Sequence, residues 1–179
     1  MSAEESIRVG CLGSVAWVKV NGSANHENAA CIKDFLYGRL DKGWRRFVVD
    51  LADCRGIDST FIGMLYRLAK RVTEEDSCGI VDVINPGERN AKSIRKLGLD
   101  GCISIDSEGN RWQQERELVD ANLGMPPCHG PLDRIEHAEF VLEAHEALIA
   151  ANEENRGRFC DVVEFLRQEL EAEAQTAKK

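Results

Sequence analysis

Residues 7–105 alternate between apolar patterns typical of strands and of helices. Short apolar runs at 7–11 and 15–20 predict two strands joined by a hairpin turn, and the continuous apolar centre of 45–51 predicts a strand buried on both faces. Further strands are expected at 80–84 and 102–105. The predicted order is strand, strand, helix, strand, helix, strand, helix, strand, which is an α/β fold with helices packed against a mixed β-sheet.

Three helices are expected between these strands. The first follows the polar loop 21–25, where Asn25 is the expected N-cap. The second begins at or just after Ser59 and runs to about Glu75, because its apolar positions recur on one helical face. The third opens at residues 86–87 and stops at Gly98.

The pattern changes after residue 106. Residues 107–131 include GMPPCHGP, whose prolines and glycines predict a linker or wrapping arm. Apolar positions at helical spacing predict two helices within 132–179 that must pack on each other and on the first domain or a second copy of it. The predicted packing face of the first helix comprises Ile135, Ala138, Val141, Leu142, His145, Leu148 and Ile149, and that of the second comprises Phe159, Val162, Val163, Leu166 and Leu170. The predicted organisation is therefore a domain of 1–106, an arm of 107–131 and a two-helix C-terminal extension of 132–179.

Composition narrows the partners and the compartment. The net charge of -8 over 179 residues disfavours nucleic acid and anionic membrane surfaces as partners, because both need a basic face. No apolar run approaches the ~20 residues of a membrane span, and the N-terminus is acidic where a secretory signal is basic. We expect a cytoplasmic protein whose seven scattered cysteines are free thiols.

Catalytic motifs are not apparent. The sequence has no GxSxG, P-loop or HExxH pattern, and the spacing of its four histidines, His26, His129, His137 and His145, indicates neither a base beside a serine nor a metal site. His137 and His145 are expected to be packing or surface residues. We therefore expect no catalytic residues, no metal and no enzymatic activity.

A polar triplet, Asp58, Ser59 and Thr60, interrupts the apolar stretch GIDSTFIGML where the second helix begins. A serine hydroxyl there can cap a free N–H group, which contributes about 1 kcal/mol. The same free N–H groups and the helix dipole favour a phosphate, which would add a charge of roughly -1.5 to -2. A capping residue and a regulatory phosphorylation site are both consistent with this position.

The segment FVVDLADCRGIDSTFIGMLYRL resembles the central motif of the STAS family of anti-sigma factor antagonists. The shared features are an apolar strand ending in Asp-Leu, a short loop, an Asp-Ser pair and a helix with an internal glycine. The matching positions are Asp50, Leu51, Ile57, Asp58, Ser59, Gly63 and Leu65. The predicted order of elements also agrees, so the resemblance spans about 7–105 and implies a STAS-like fold.

The resemblance implies phosphorylation of Ser59 by an anti-sigma factor serine kinase, with Thr60 as second candidate. The kinase would use ATP, so this protein would need no cofactor, and its unmodified form would bind the kinase and free a sigma factor. The implied partner-binding residues are Asp58, Ser59 and Thr60 with Ser23 and Asn25 of the neighbouring loop.

Two stretches depart from the family pattern and bear on the identity of the partner. Thr60 and Phe61 stand where a glycine is usual, and Asn25 stands where an aspartate is common. The C-terminal helices support an alternative function, in which an unphosphorylated STAS scaffold uses its tail for oligomerisation, for example as a homodimer. They could equally cover apolar surface of their own domain.

Overall fold

The computed structural model describes residues 6–127 and 130–176. Within them lie six strands, which are β1 (Ser6–Leu12), β2 (Val15–Ala24), β3 (Arg46–Asp50), β4 (Cys54–Ile57), β5 (Ile80–Ile84) and β6 (Ser104–Asp106). The helices are α1 (Ala29–Leu40), α2 (Ser59–Glu75), α3 (Gly87–Lys96), α4 (Gln113–Asp120), α5 (Arg134–Ala151) and α6 (Arg156–Thr176). A short 3-10 turn, Glu153–Asn155, joins α5 to α6.

The sheet is mixed, as predicted. Its main order is β1-β2-β3-β5-β6, in which β1 and β2 are antiparallel and the other neighbours are parallel. β4 was not predicted, because CRGI lacks the apolar alternation of a strand and forms one only by pairing with the end of β2. The same pairing with β4 extends β2 to Ala24, so the expected loop at 21–25 is largely strand.

β3 explains why a strand can be apolar on both faces. Phe47 and Val49 point into the main core beneath the helices, whereas Val48 packs with Trp17 in a smaller cluster on the opposite face. All three side chains are 0% exposed. The prediction of a strand buried on both sides is confirmed.

Residues 107–127 lie across this second face of the sheet and contain α4, a helix that the sequence did not indicate. Trp112 packs edge-on against Trp17 at 5.7 Å between ring centroids, and its indole N–H donates to the buried Asp82 at 2.7 Å. The Arg111 guanidinium also donates to Asp82, at 2.8 Å. These charge-assisted contacts to the buried Asp82 carboxylate hold the arm against the sheet.

The C-terminal helices pack on the first domain in sequence order, α5 on α2 and α6 on α5. The predicted apolar face of α5 is partly wrong, because Ile135 is 43% exposed whereas Phe140 is buried. On α6 only Val163 is buried among the described residues, and Val162 and Phe165 face solvent. α6 is therefore held by fewer apolar contacts than α5.

The expectation that every cysteine is a free thiol is wrong for Cys31, which is disulfide-bonded. The other described cysteines, Cys11, Cys54, Cys78, Cys102 and Cys160, are free. Cys128 and His129 lie outside the described residues. In the parts of the chain that the structure covers, no helix is both long and apolar enough to cross a membrane.

A serine site between the sheet module and the C-terminal helices

The start of α2 is organised by Asp58, which is its N-cap. Asp58 has extended backbone angles, and its Oδ1 accepts from the Phe61 N–H at 2.8 Å. A cap is the residue immediately before the first helical one, and Ser59 is already helical. The capping role considered for Ser59 therefore belongs to Asp58.

The second oxygen of Asp58 holds the loop between β2 and α1. Asp58 Oδ2 accepts from the His26 backbone N–H at 2.7 Å, and the His26 ring Nδ1 lies 3.3 Å away. The Asp58 N–H itself donates to the Ala24 carbonyl at 3.0 Å. One carboxylate thus connects the first turn of α2 to the neighbouring loop, and the loop and the serine share one surface.

The loop residues expected at the docking surface lie just before α1. Ser23 pairs with Gly56 of β4, and its carbonyl accepts from the Asn28 side chain at 2.7 Å. The Asn25 side chain accepts from the Glu27 N–H at 3.0 Å. Asn25 is not the N-cap of α1, which is Asn28, because residues 25–28 form a separate turn before the helix begins.

Ser59 and Thr60 differ in exposure although they are adjacent. Ser59 is half-buried, whereas Thr60 is 3% exposed and points towards the core. A modifying enzyme can reach Thr60 only after local unfolding of the first turn. The structure therefore favours Ser59 over Thr60 as an accessible hydroxyl.

The Ser59 hydroxyl contacts a histidine that the sequence did not associate with it. Ser59 Oγ lies 2.9 Å from His145 Nε2, and His145 Nδ1 lies 2.7 Å from the Val141 carbonyl oxygen. A carbonyl only accepts, so Nδ1 carries a ring proton, and in the neutral imidazole Nε2 accepts from the serine hydroxyl. The two residues are 86 positions apart, which is why spacing gave no signal.

This Ser-His contact does not have the arrangement of a nucleophile and base. In catalytic triads a carboxylate stabilises the imidazolium that forms, whereas here the Nδ1 partner is a neutral carbonyl. His145 is 5% exposed and packs edge-on against Phe159, with ring centroids 4.9 Å apart. The contact therefore anchors α5 to the start of α2.

A close helix crossing follows one turn further along α2. A Cβ added to Gly63 would lie 2.3 Å from the Ala144 carbonyl oxygen of α5, so only glycine allows this approach. Arg67, one turn on, forms an ion pair with Glu143. The internal glycine of the motif thus serves a helix contact in this chain, and α5 covers the face of α2 that begins at Ser59.

Burial sets the protonation states of two side chains near α2. Desolvation raises the pKa of Tyr37 to about 12, and its hydroxyl donates to the Met64 carbonyl at 3.4 Å. Burial also raises the pKa of Cys54, on the strand before Asp58, so this thiol is protonated and weakly nucleophilic at neutral pH. Among the described residues, no group of three or more His, Cys, Asp or Glu side chains is arranged to hold a metal ion.

The fold and the site together define an α/β module with a half-buried serine hydroxyl in the first turn of a helix. The sequence profile of the family described as "Mlab, STAS domain" matches residues 7–105, which is more than half of the chain. The chain therefore belongs to the STAS domain family. The anti-sigma factor antagonists of this family are regulators rather than enzymes, and the expectation that the protein is not an enzyme is confirmed.

Two curated relatives are provisionally named as anti-sigma factor antagonists. The protein of Thermotoga neapolitana is 28% identical over 86 residues, covering 48% of this chain and 74% of its own. The protein of Thermotoga maritima is 27% identical over the same length and the same shares. The crystal structure of a Thermotoga maritima relative superposes with a TM-score of 0.52 at 23% identity, covering 64% of this chain and 94% of that one, which shows the shared fold.

Proposed function

We propose that the protein is an anti-sigma factor antagonist that acts by phosphorylation-controlled partner switching at Ser59. The observation that carries this proposal is the position of Ser59 in the first turn of α2, beside a loop that Asp58 holds in place. In this function the unmodified form binds an anti-sigma factor serine kinase in the cytoplasm, and a sigma factor is released to direct transcription. Docking would use Asp58, Ser59, Ser23 and Asn25, whereas the buried Thr60 would not contact the partner directly.

The modification is a phosphoryl transfer. The kinase transfers the γ-phosphoryl group of ATP to Ser59 Oγ, so an O–P bond forms, the bond to ADP breaks and the hydroxyl proton leaves. ATP is bound by the kinase, and this protein supplies no cofactor. The added charge of roughly -1.5 to -2 repels a partner that had docked on a neutral hydroxyl, which ends the complex.

Phosphorylation of the purified protein tests this function. The anti-sigma factor kinase is first identified by what copurifies with the Ser59→Ala variant from the native cells, because this variant stays in the unmodified, binding form. The wild-type protein is then incubated with that kinase and ATP, and the phosphate is mapped by mass spectrometry. We expect phosphate on Ser59, and loss of kinase binding after its addition.

Two variants give the controls. Ser77→Ala removes an exposed serine outside the site and should leave phosphorylation and binding unchanged. Thr60→Val separates the two hydroxyls of the triplet and should also retain phosphorylation. Phosphate that persists in Ser59→Ala, or an unchanged kinase affinity after modification, contradicts the assignment.

The exposed face of α6 supports a second candidate, an assembly function of the C-terminal helices. Val162 and Phe165 are 40% and 64% exposed and form an apolar patch on the outer side of α6. A second copy of the chain docking there would form a homodimer. The Phe165→Gln variant should then dissociate in sedimentation analysis, whereas Leu118→Gln, at an equally exposed leucine of α4, should not.

A further inference from the structure

A small cavity opens beside Ser59 where three parts of the fold meet. Its volume is about 200 Å³, and it is lined by Ile57, Ser59, Ile62, Ser93, Lys96, Leu97 and Arg158. Lys96 comes from α3 and Arg158 from α6, so two cationic residues from distant parts of the chain line the same cavity as Ser59. None of these lining residues carries a carboxylate.

The charges of these two cations are not neutralised within the part of the chain that the structure describes. Lys96 forms no side-chain hydrogen bond or ion pair there. The Arg158 guanidinium donates to the Lys96 carbonyl and to Asn155 Oδ1, both at 2.9 Å and both uncharged. By contrast, Arg156 on the same helix pairs with Glu153. A fixed guanidinium without an acidic partner, beside a lysine, is suited to bind an anion.

We propose that this cavity binds the phosphoryl group of phosphorylated Ser59, and that phosphorylation thereby fastens the C-terminal helices over the docking face. The proposal rests on the proposed function in one respect, namely that Ser59 is the modified residue. The phosphoserine is bound by Lys96 and Arg158 of its own chain. The modified protein is then excluded from its partner by coverage as well as by charge.

The space and the surrounding groups fit a phosphoryl group. A water molecule occupies about 30 Å³ in the liquid, so a cavity of about 200 Å³ accepts a phosphoryl group together with several waters. Arg158 is already held in place by its two hydrogen bonds, which lowers the entropy cost of ordering its side chain. His145 borders the same hydroxyl from α5, so the phosphoryl group lies between module and tail.

The direction of the effect follows from the location of the cations. Arg158 belongs to the tail, whereas Lys96 and Ser59 belong to the first domain. Phosphorylation removes the hydrogen bond that the Ser59 hydroxyl donates to His145, and a phosphate that contacts both cations replaces it with charge-assisted contacts that exist only when the tail is docked. Because α5 covers α2 from Ser59 to Arg67, every added contact lowers the fraction of molecules that expose the docking face.

Hydrogen exchange of the full-length protein tests the proposal without the kinase. Phosphoserine is installed at position 59 by genetic encoding, and exchange of the α5 and α6 amides is compared with that of the unmodified protein. We expect protection of the α5 amides to rise about tenfold or more. The second pKa of the phosphoserine, read by phosphorus NMR, should fall below its usual value of about 6, because the neighbouring cations favour the dianion.

Charge variants identify the groups responsible. Lys96→Gln combined with Arg158→Gln should return the exchange protection of the phosphorylated form to the unmodified level and the phosphoserine pKa to about 6. Arg95→Gln combined with Arg156→Gln removes the same charge from neighbouring positions and should change neither. Circular dichroism of the three unphosphorylated proteins, the wild type and the two double variants, establishes that all are folded.

Two results overturn the proposal. Phosphoserine that leaves the α5 protection unchanged or lowers it shows that the tail is not fastened, and equal behaviour of the two double variants shows that Lys96 and Arg158 are not the ligands. Neither result depends on the kinase assay, which reports separately whether Ser59 is the natural acceptor. If the kinase does not phosphorylate Ser59, the proposed function is refuted, whereas the contact between an installed phosphoserine and the two cations is still measured by hydrogen exchange.

Discussion

Replacing Gly63 with alanine tests how closely α5 packs on α2. The added Cβ would lie 2.3, 2.8 and 2.9 Å from the carbonyl oxygen, carbonyl carbon and Cα of Ala144. These are backbone atoms, so no side-chain rotation can relieve the contact. The two helices must separate by about 1 Å to restore ordinary van der Waals distances.

The magnitude follows from two opposing effects. Alanine is favoured over glycine within a helix by about 1 kcal/mol, whereas overpacking at a close contact costs typically 1–3 kcal/mol. Gly63→Ala should therefore be neutral to destabilising, by up to about 2 kcal/mol. Gly38→Ala in α1 is the matched control, because nothing lies within 4 Å of its added Cβ, and it should stabilise by about 1 kcal/mol.

Urea unfolding followed by circular dichroism measures both variants on the full chain. We expect the free energies of unfolding to differ by roughly 1–3 kcal/mol, with Gly63→Ala lower. Hydrogen exchange of the α5 amides should also become faster in Gly63→Ala and stay unchanged in Gly38→Ala. Equal stabilisation by the two substitutions would falsify the close α2–α5 crossing.

Three further predictions concern other parts of the fold. Asn155→Ala should lower the free energy of unfolding, measured by chemical denaturation, by about 1–3 kcal/mol, because the buried Asn155 amide donates to the Leu97 and Leu148 carbonyls. Asn122→Ala, at an exposed site, should lower it by less. In spectrophotometric titration Tyr37 should ionise near pH 12, because burial disfavours its charged form. The contribution of the neutral Tyr37 side chain to the free energy of unfolding is complete below pH 10.0 and is lost as pH rises towards 12. Burial alone would raise the pKa of the Asp106 carboxyl, but hydrogen bonds from four backbone N–H groups at 108–111 lower the pKa overall. The loop 106–111 should therefore loosen only as pH falls below 3.8, which NMR of its amides would show.

Each of these has a contradicting result. Equal losses in the two asparagine variants show that the buried amide bonds contribute nothing beyond an exposed one. A tyrosine titration complete near pH 10.0 means that Tyr37 is solvated. Loop amides of Gly109 and Arg111 that shift at pH values above 3.8 mean that the Asp106 carboxylate is not held by them.

The sequence was informative where local pattern and burial coincide. β3 is apolar because both of its faces are covered, and α2 was placed correctly because its apolar stripe and its Asp-Ser start signal agree. β4 was missed because it exists only through pairing with the end of β2, which extends it beyond the predicted strand. The apolar face of α5 was partly misassigned because the close approach at Gly63 determines how the helix lies on α2.

At the candidate site the amino-acid sequence by itself determined that a capped helix begins at a polar Asp-Ser-Thr triplet, because capping and helical periodicity depend on neighbouring residues. Only the tertiary structure decided that Asp58 rather than Ser59 is the cap, and that the Ser59 hydroxyl contacts His145, 86 positions away. It also brought Lys96 and Arg158 to one cavity at that hydroxyl. Such contacts depend on how the helices pack against one another, and no local pattern in the chain encodes their distance or direction.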